Sequence, residues 1–175
     1  MKNIDSRNIK QTIAKGEITL EAKYLNSNIN LSILEACRKK YNNKYINSYG
    51  YILEVVKVNE YKNYISNANS SIIFIVKMSV DSINPDIENE IYGKCLITNR
   101  GLFSKIHDNI IAFISSSSLE KDYDYNENDN SLTSKDDFTK IINNDYIQCK
   151  ISVSEYSGGT VKYIVKELKK DLTKV

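Results

Sequence analysis

The sequence predicts an α+β protein in two parts, a small α+β domain over residues 1–84 and a five-stranded β-barrel over residues 85–175. Three observations carry that expectation. The first half holds one amphipathic helical stretch set between strongly β-forming runs. The second half holds only short strand-like runs separated by turn residues. Pro85, the sole proline, stands where the composition changes, and it marks the boundary.

Glu17 to Leu25 alternates, with Ile18, Leu20 and Ala22 on one side and Glu17, Thr19, Glu21 and Lys23 on the other, the period of a half-buried strand. Asn26-Ser27-Asn28 is an N-cap cluster. Ile29, Ile33, Leu34 and Cys37 follow at helical spacing. Arg38, Lys39 and Lys40 fall in the last turns, where the helix dipole favours cations, and the helix ends near Asn42-Asn43. Tyr45 to Val58 predicts a long strand, with Gly50 as a bulge or a close backbone approach. Glu60 to Ser70 is polar and predicts a loop. Ile72 to Val80 is strongly β-forming and is expected to pair back on the preceding strand.

In the second half the expected strands are Glu90–Thr98, Leu102–Ile106, Ile110–Ile114, Tyr146–Val153 and Thr160–Leu168. Asn99-Arg100-Gly101, His107-Asp108-Asn109 and Gly158-Gly159 supply turns. Five short strands with a long excursion after the third is the plan of an OB barrel. The excursion contains Glu120 to Asp137, which carries 7 acids against 2 lysines, a net of −5. Its low hydrophobicity and high charge predict a flexible acidic loop over 120–137.

Charge and cysteine content narrow the function classes. The chain of 175 residues has a net charge of only +2, so it is not a polycation built to coat nucleic acid. Residues 1–84 hold 12 Lys/Arg and 7 Asp/Glu, a net of +5, and residues 85–175 hold 12 and 15, a net of −3. The acidic stretch therefore masks a mildly basic barrel. Cys37, Cys95 and Cys149 are odd in number and far apart, which fits neither a zinc site nor a disulfide framework and predicts three reduced, mostly buried thiols. No apolar run approaches the roughly 20 residues of a membrane span, and the first fifteen residues lack a hydrophobic signal core. The bias toward Ile, Asn, Lys and Tyr reflects A/T-rich codons.

Taken together, the segments resemble a known family. In the first half they are Glu17-Ile18-Thr19-Leu20, Lys23-Tyr24-Leu25, the helix, and Ser48-Tyr49-Gly50-Tyr51-Ile52-Leu53. In the second half they are Pro85, Glu90-Ile91, Gly101-Leu102-Phe103-Ser104 and Ala112-Phe113-Ile114-Ser115. In order, spacing and overall length, from about Gly16 onward, the chain resembles the RNA polymerase stalk family, which comprises the seventh subunit of eukaryotic RNA polymerase II and its archaeal counterpart. It departs from that pattern at Asn89, where the family has glycine, and in a shorter hairpin before Gly101.

The resemblance implies an RNP-like N-terminal domain that docks on the polymerase core near the clamp and RNA exit path, biasing the clamp toward closure. It implies an OB barrel that meets nascent single-stranded RNA weakly and without sequence preference. Its implied partners are the largest polymerase subunits, a small core subunit near the clamp, and a second stalk subunit. The docking residues it implies are Lys23, Tyr24, Leu25, Tyr49, Gly50, Tyr51, Tyr61, Asn63, Tyr64 and Ile65, within a tip spanning residues 23–28, 49–51 and 61–70. With the A/T bias, it points to a polymerase encoded by a large DNA virus, placed in the viral factory and virion. A nuclear polymerase of an A/T-rich protist fits almost as well.

On the barrel, Phe103, His107 and Phe113 lie where OB domains present bases with stacking partners. The two phenylalanines also alternate with Ile and Leu as core residues do, and the sequence leaves both readings open. Lys94, Arg100, Lys105, Lys150 and Lys162 form a candidate basic surface, or simply a solvated strand face. No phosphate loop, metal triad or nucleophile–base pair is legible, so no catalysis, cofactor or metal is expected. A free-standing OB-type single-stranded RNA-binding protein, acting in translation or RNA decay, is the alternative function. A third reading is a viral protein that kept the fold for packaging.

Overall fold

A computed structural model describes residues 4–25, 28–65, 72–86 and 88–174. The chain divides into two compact units, Ile9–Asn84 and Met1–Asn8 together with Pro85–Val175.

The first unit contains β1 (Lys10–Leu20), α1 (Ile29–Tyr41), β2 (Lys44–Ile46), β3 (Gly50–Ile65) and β4 (Ile72–Ile83). The strands form an antiparallel sheet in the order β1-β4-β3-β2. Helical and strand periods meet in one core. Ile33, Cys37 and Tyr41 recur at helical spacing on α1 and pack with Ala14 and Ile18 of β1 and with Phe74, Val76, Met78 and Val80 of β4. Arg38 to Lys40 end the helix as expected, and Asn42 occupies the C-cap.

Three expectations for this unit change. The first strand spans Lys10–Leu20 rather than Glu17–Leu25, because Lys10–Gly16 finds partners along Ser82–Val76 and the ladder ends at Leu20 opposite Ile72, where the chain turns into Ala22–Tyr24. Tyr45 to Val58 is not one strand, since residues 47–49 turn between β2 and β3. Gly50 opens β3 at φ +74, where a Cβ would lie 2.5 Å from the Ile83 carbonyl oxygen, so it is a close approach at a strand start. Tyr61–Ile65 is not loop but strand, paired with Ile72–Val76. The apolar run of β4 offers a continuous ladder that outweighs the polar composition of its partner. Residues 66–70 of the expected loop lie outside the described residues.

The second unit holds β5 (Glu90–Thr98), β6 (Gly101–His107), β7 (Ile110–Ser115), α2 (Ser116–Leu119), β8 (Tyr123–Asn126), β9 (Ser131–Ser134), β10 (Lys140–Ile141), β11 (Tyr146–Ser157) and β12 (Thr160–Lys170). Five of these strands close a barrel in the order β11-β12-β7-β6-β5, with β11 returning to β5 and with β7 and β12 parallel. That order is OB-like. Inward residues alternate along each strand: Ile91, Cys95 and Ile97 on β5, Ile110, Ala112 and Ile114 on β7, Val161, Tyr163 and Val165 on β12.

The acidic stretch is not a flexible loop. It builds an antiparallel sheet in the order β10-β9-β8. Leu119, Leu132 and Ile141 are buried, and the Tyr123 hydroxyl donates to the Leu168 carbonyl at 2.6 Å. A few buried apolar residues anchor the sheet while the acids stay in solvent, and Lys140 and Lys135 pair with Asp129 and Asp124.

Residues 5–8 belong with the barrel rather than with the first unit. The Asn8 side chain accepts from the Tyr92 N–H at 2.9 Å and donates to the Tyr92 carbonyl at 2.6 Å, mimicking a strand neighbour of β5. Arg7 binds Asp5 at 2.8 Å, pairs with Asp171, and stacks 3.8 Å over the Tyr92 ring, and Lys174 reaches Asp5 at 2.7 Å. Arg7 holds the nearly buried Asp5 and Asp171 carboxyls far below the usual carboxylate range, Asp171 at about 2.

Candidate nucleic-acid interface

Strand alternation assembles an outward surface from β5, β6, β7, β11 and β12. On β5, Tyr92, Lys94 and Leu96 share the outer parity. Phe103, Lys105 and His107 do so on β6, Ile111 and Phe113 on β7, and Lys162 and Ile164 on β12. The register lines these residues up in two rows. Leu96 pairs with Phe103, Phe103 with Phe113, and Phe113 with Ile164, making an apolar and aromatic row. Beside it Tyr146 pairs with Lys94, Lys94 with Lys105, Lys105 with Ile111, and Ile111 with Lys162, making a basic row.

The Phe103 and Phe113 rings lie 4.6 Å apart in a tilted arrangement, and Lys162 Nζ stands 4.9 Å from the Phe113 centroid. Lys94 and Lys174 approach the Tyr146 ring at 5.4 and 4.9 Å. A cleft of about 930 Å³ runs along this face, bounded by Tyr92, Lys94, Leu96, Phe103, Lys105, His107, Ile111, Asn144 and Tyr146. Two carboxylates, Asp5 and Asp108, stand at its margin. Both are already engaged, Asp5 by Arg7 and Lys174 and Asp108 by Lys105 at 2.9 Å. Burial pushes His107 below its ordinary pKa, leaving a neutral ring at neutral pH. A surface with flat rings on one side and ammonium groups on the other can stack bases while phosphates run along the lysines.

Of the barrel residues expected from sequence, the structure brings Phe103, Phe113, Lys94, Lys105, His107 and Lys162 onto this face. Phe103 and Phe113 are half-buried on the outer surface, so the core reading fails for both. The reason is parity: Leu102, Ser104 and Ile106 take the interior positions of β6. Arg100 stands in the β5–β6 turn, outside the two rows. Lys150 is drawn toward Glu167 and Glu88 at 3.4 and 3.5 Å. Sequence reasoning missed Tyr92, Leu96, Ile111 and Tyr146. The signal was available in the shared parity of Tyr92, Lys94 and Leu96 on one strand.

In the first unit, the expected docking residues fall into three groups. Lys23 and Tyr24 lie on the short helical turn Ala22–Tyr24 and are exposed, with Lys23 bound to Glu21 at 2.7 Å. Leu25 packs against the core, and Asn26 and Ser27 lie outside the described residues. Tyr49 is half-buried, its hydroxyl accepting from the Lys15 N–H at 3.0 Å. Tyr51 is 1% exposed, so it is a core residue and unable to dock. Its partner across the sheet is Ile83, and it lies in an unbroken buried run from Gly50 to Leu53 that strand alternation alone does not predict. Tyr61, Asn63, Tyr64 and Ile65 are exposed at the end of β3, Ile65 at 68%.

The three thiols are free and buried, and burial pushes Cys37 and Cys95 up to about 11 and Cys149 higher still. Among the described residues, no group of three or more His, Cys, Asp or Glu is placed to hold a metal ion. A scan against protein-family models finds no match for the chain, and no curated protein matches it.

Proposed function

We propose that the chain is a non-catalytic stalk subunit of a multisubunit DNA-directed RNA polymerase, with an RNP-like docking domain and an RNA-facing barrel. The observation that carries the RNA half is the pair of rows on the barrel, Leu96–Phe103–Phe113–Ile164 beside Lys94–Lys105–Ile111–Lys162. Two adjacent rings flanked by apolar side chains, beside three lysines, suit single-stranded RNA bound without sequence preference. The docking half rests on the resemblance to the stalk family and on the exposed Tyr61, Tyr64 and Ile65 at the end of β3. In this reading the first unit meets the largest polymerase subunits and a small core subunit near the clamp, and a second stalk subunit packs alongside. The barrel meets RNA as it leaves. The polymerase is that of a large DNA virus.

Affinity capture of the tagged chain from its source, with mass spectrometry, tests this. The expected result is co-purification of the two largest polymerase subunits, released by Tyr64→Ala with Ile65→Ser. Recovery of ribosomal or RNA-decay proteins instead would sink the polymerase reading. A free-standing RNA-binding protein is the second reading, since the same rows serve RNA with no docking surface at all.

A further inference from the structure

The sheet of the first unit protects its edges unevenly. On β1, the groups of Lys15 and Glu17 that point away from β4 are capped: the Tyr49 hydroxyl accepts from the Lys15 N–H at 3.0 Å, and the Tyr41 hydroxyl serves both Glu17 groups at 2.7 Å. On β3, Val55 is capped too, its N–H by Asn42 at 2.8 Å and its carbonyl by Arg38 at 3.0 Å. The protection stops there. The register with β4 turns the N–H and C=O of Val58, Tyr61, Asn63 and Ile65 away from β4 as it does those of Val55. β2 covers β3 only at Gly50–Ile52. Among the described residues, no hydrogen bond reaches those four positions from the open side. A row of unpaired main-chain groups is a template for another strand.

A groove of about 640 Å³ lies along the same edge, between α1 and β3, walled by Leu31, Ile33 and Leu34 and by Lys57–Tyr61. Leu31 is 46% exposed and Tyr61 39%, so its walls are apolar and open. Of the two charges lining it, Glu60 is taken by Lys77 at 2.7 Å, whereas Lys57 makes no ion pair among the described residues.

We propose that the β3 edge from Val58 to Ile65 binds an extended segment of a partner protein by strand addition, a segment with apolar residues at alternate positions and a carboxylate facing Lys57. The main-chain row dictates the extended conformation. Leu31, Leu34 and Tyr61 take the apolar side chains on the groove side, and Lys57 sets the charge. This rests on the reading of residues 61–65 as a docking surface and adds the manner of docking and the chemistry of the partner.

The test is amide hydrogen exchange, followed by NMR on the full chain, with synthetic peptides of about ten residues alternating valine with glutamate or valine with lysine. The valine–glutamate peptide is expected to slow the Tyr61, Asn63 and Ile65 amides roughly tenfold or more, with little change at Lys62 and Tyr64, which β4 already pairs. Leu31→Asp is expected to abolish the effect, and Lys57→Glu to transfer it to the valine–lysine peptide. Asn63→Pro removes one outward donor and leaves the β4 ladder intact, so it is expected to weaken binding without unfolding the sheet. Absence of slowing at those three amides with either peptide would overturn the proposal. Slowing that rises with chain concentration and no peptide would overturn it in favour of edge-to-edge pairing of two copies. If the peptide protects the edge but no polymerase subunit co-purifies, the strand site stands and the polymerase reading falls. If polymerase subunits co-purify equally with Leu31→Asp, that docking does not use the edge, and the proposal fails for it.

Discussion

The Tyr41 hydroxyl holds the main chain of Glu17 at both of its polar groups, accepting from the N–H and donating to the C=O at 2.7 Å each. The ring that carries this hydroxyl passes beside Gly16, where a Cβ would lie 2.5 Å from the hydroxyl oxygen and 2.7 Å from the ring. The helix end is thereby tied to the outer edge of β1, and Gly16 leaves the room for it. Gly16→Ala is expected to destabilise the first unit by about 1–3 kcal/mol through overpacking. Tyr41→Phe is expected to cost about 1 kcal/mol, since the freed Glu17 groups reach water at a sheet edge. Urea unfolding of both variants measures this, and a Gly16→Ala chain as stable as the parent would refute the close packing.

Stacking on the barrel predicts a graded loss of RNA affinity. Phe103→Ala and Phe113→Ala are each expected to weaken binding of an unstructured oligonucleotide by roughly 1–3 kcal/mol, the worth of one stacked base. Lys94→Gln and Lys105→Gln are expected to weaken all sequences alike. Each is expected to lower the slope of log affinity against log salt by about 0.7. Fluorescence anisotropy at several salt concentrations separates the two behaviours, and equal slopes throughout would remove the lysine row from the interface.

The Asp5–Arg7–Asp171–Lys174 cluster predicts acid sensitivity with a defined sign. Arg7 depresses both carboxyls, so the folded state binds fewer protons there than the unfolded one. The stabilisation is complete above the ordinary carboxylate range, near about pH 4. It fades as pH falls toward the Asp171 value of about 2. Asp171→Asn is expected to lower Tm at neutral pH and to flatten the Tm profile between those limits. A parallel profile would show that the pair adds nothing to stability.

The acidic sheet predicts resistance to cleavage. Glu120–Asp137 is ordered by buried Leu119, Leu132 and Ile141, so limited proteolysis is expected to leave this stretch intact. Leu132→Ala, which empties a site 2% exposed, is expected to cost about 2–5 kcal/mol and to open the stretch to protease. Rapid cutting of the parent chain within β8 to β10 would contradict the fold described.

Local periodicity determined most of the elements. The five barrel strands, the helix and the Gly158-Gly159 turn follow from alternation, helical spacing and turn residues, each a property of a few consecutive side chains. Phe103, Lys105 and Phe113 were legible as candidates from their place in the expected OB plan, while the alternation of Phe103 and Phe113 with Ile and Leu spoke equally for the core. Parity within a strand is local, but which parity faces outward depends on the neighbouring strands, and that decided Phe103 and Phe113 against the core. The tertiary structure alone decided the rest. Tyr61–Ile65 became strand because Ile72–Val76 lies opposite, and the acidic stretch is ordered where Leu119, Leu132 and Ile141, spread over more than twenty positions, are each buried. Residues 5–8 joined the barrel through Tyr92 and Asp171, far along the chain. Partners so distant in sequence leave no periodic mark, since the burial and pairing that order them are gained only once long loops have closed, at an entropic cost, onto surfaces that exist only after folding.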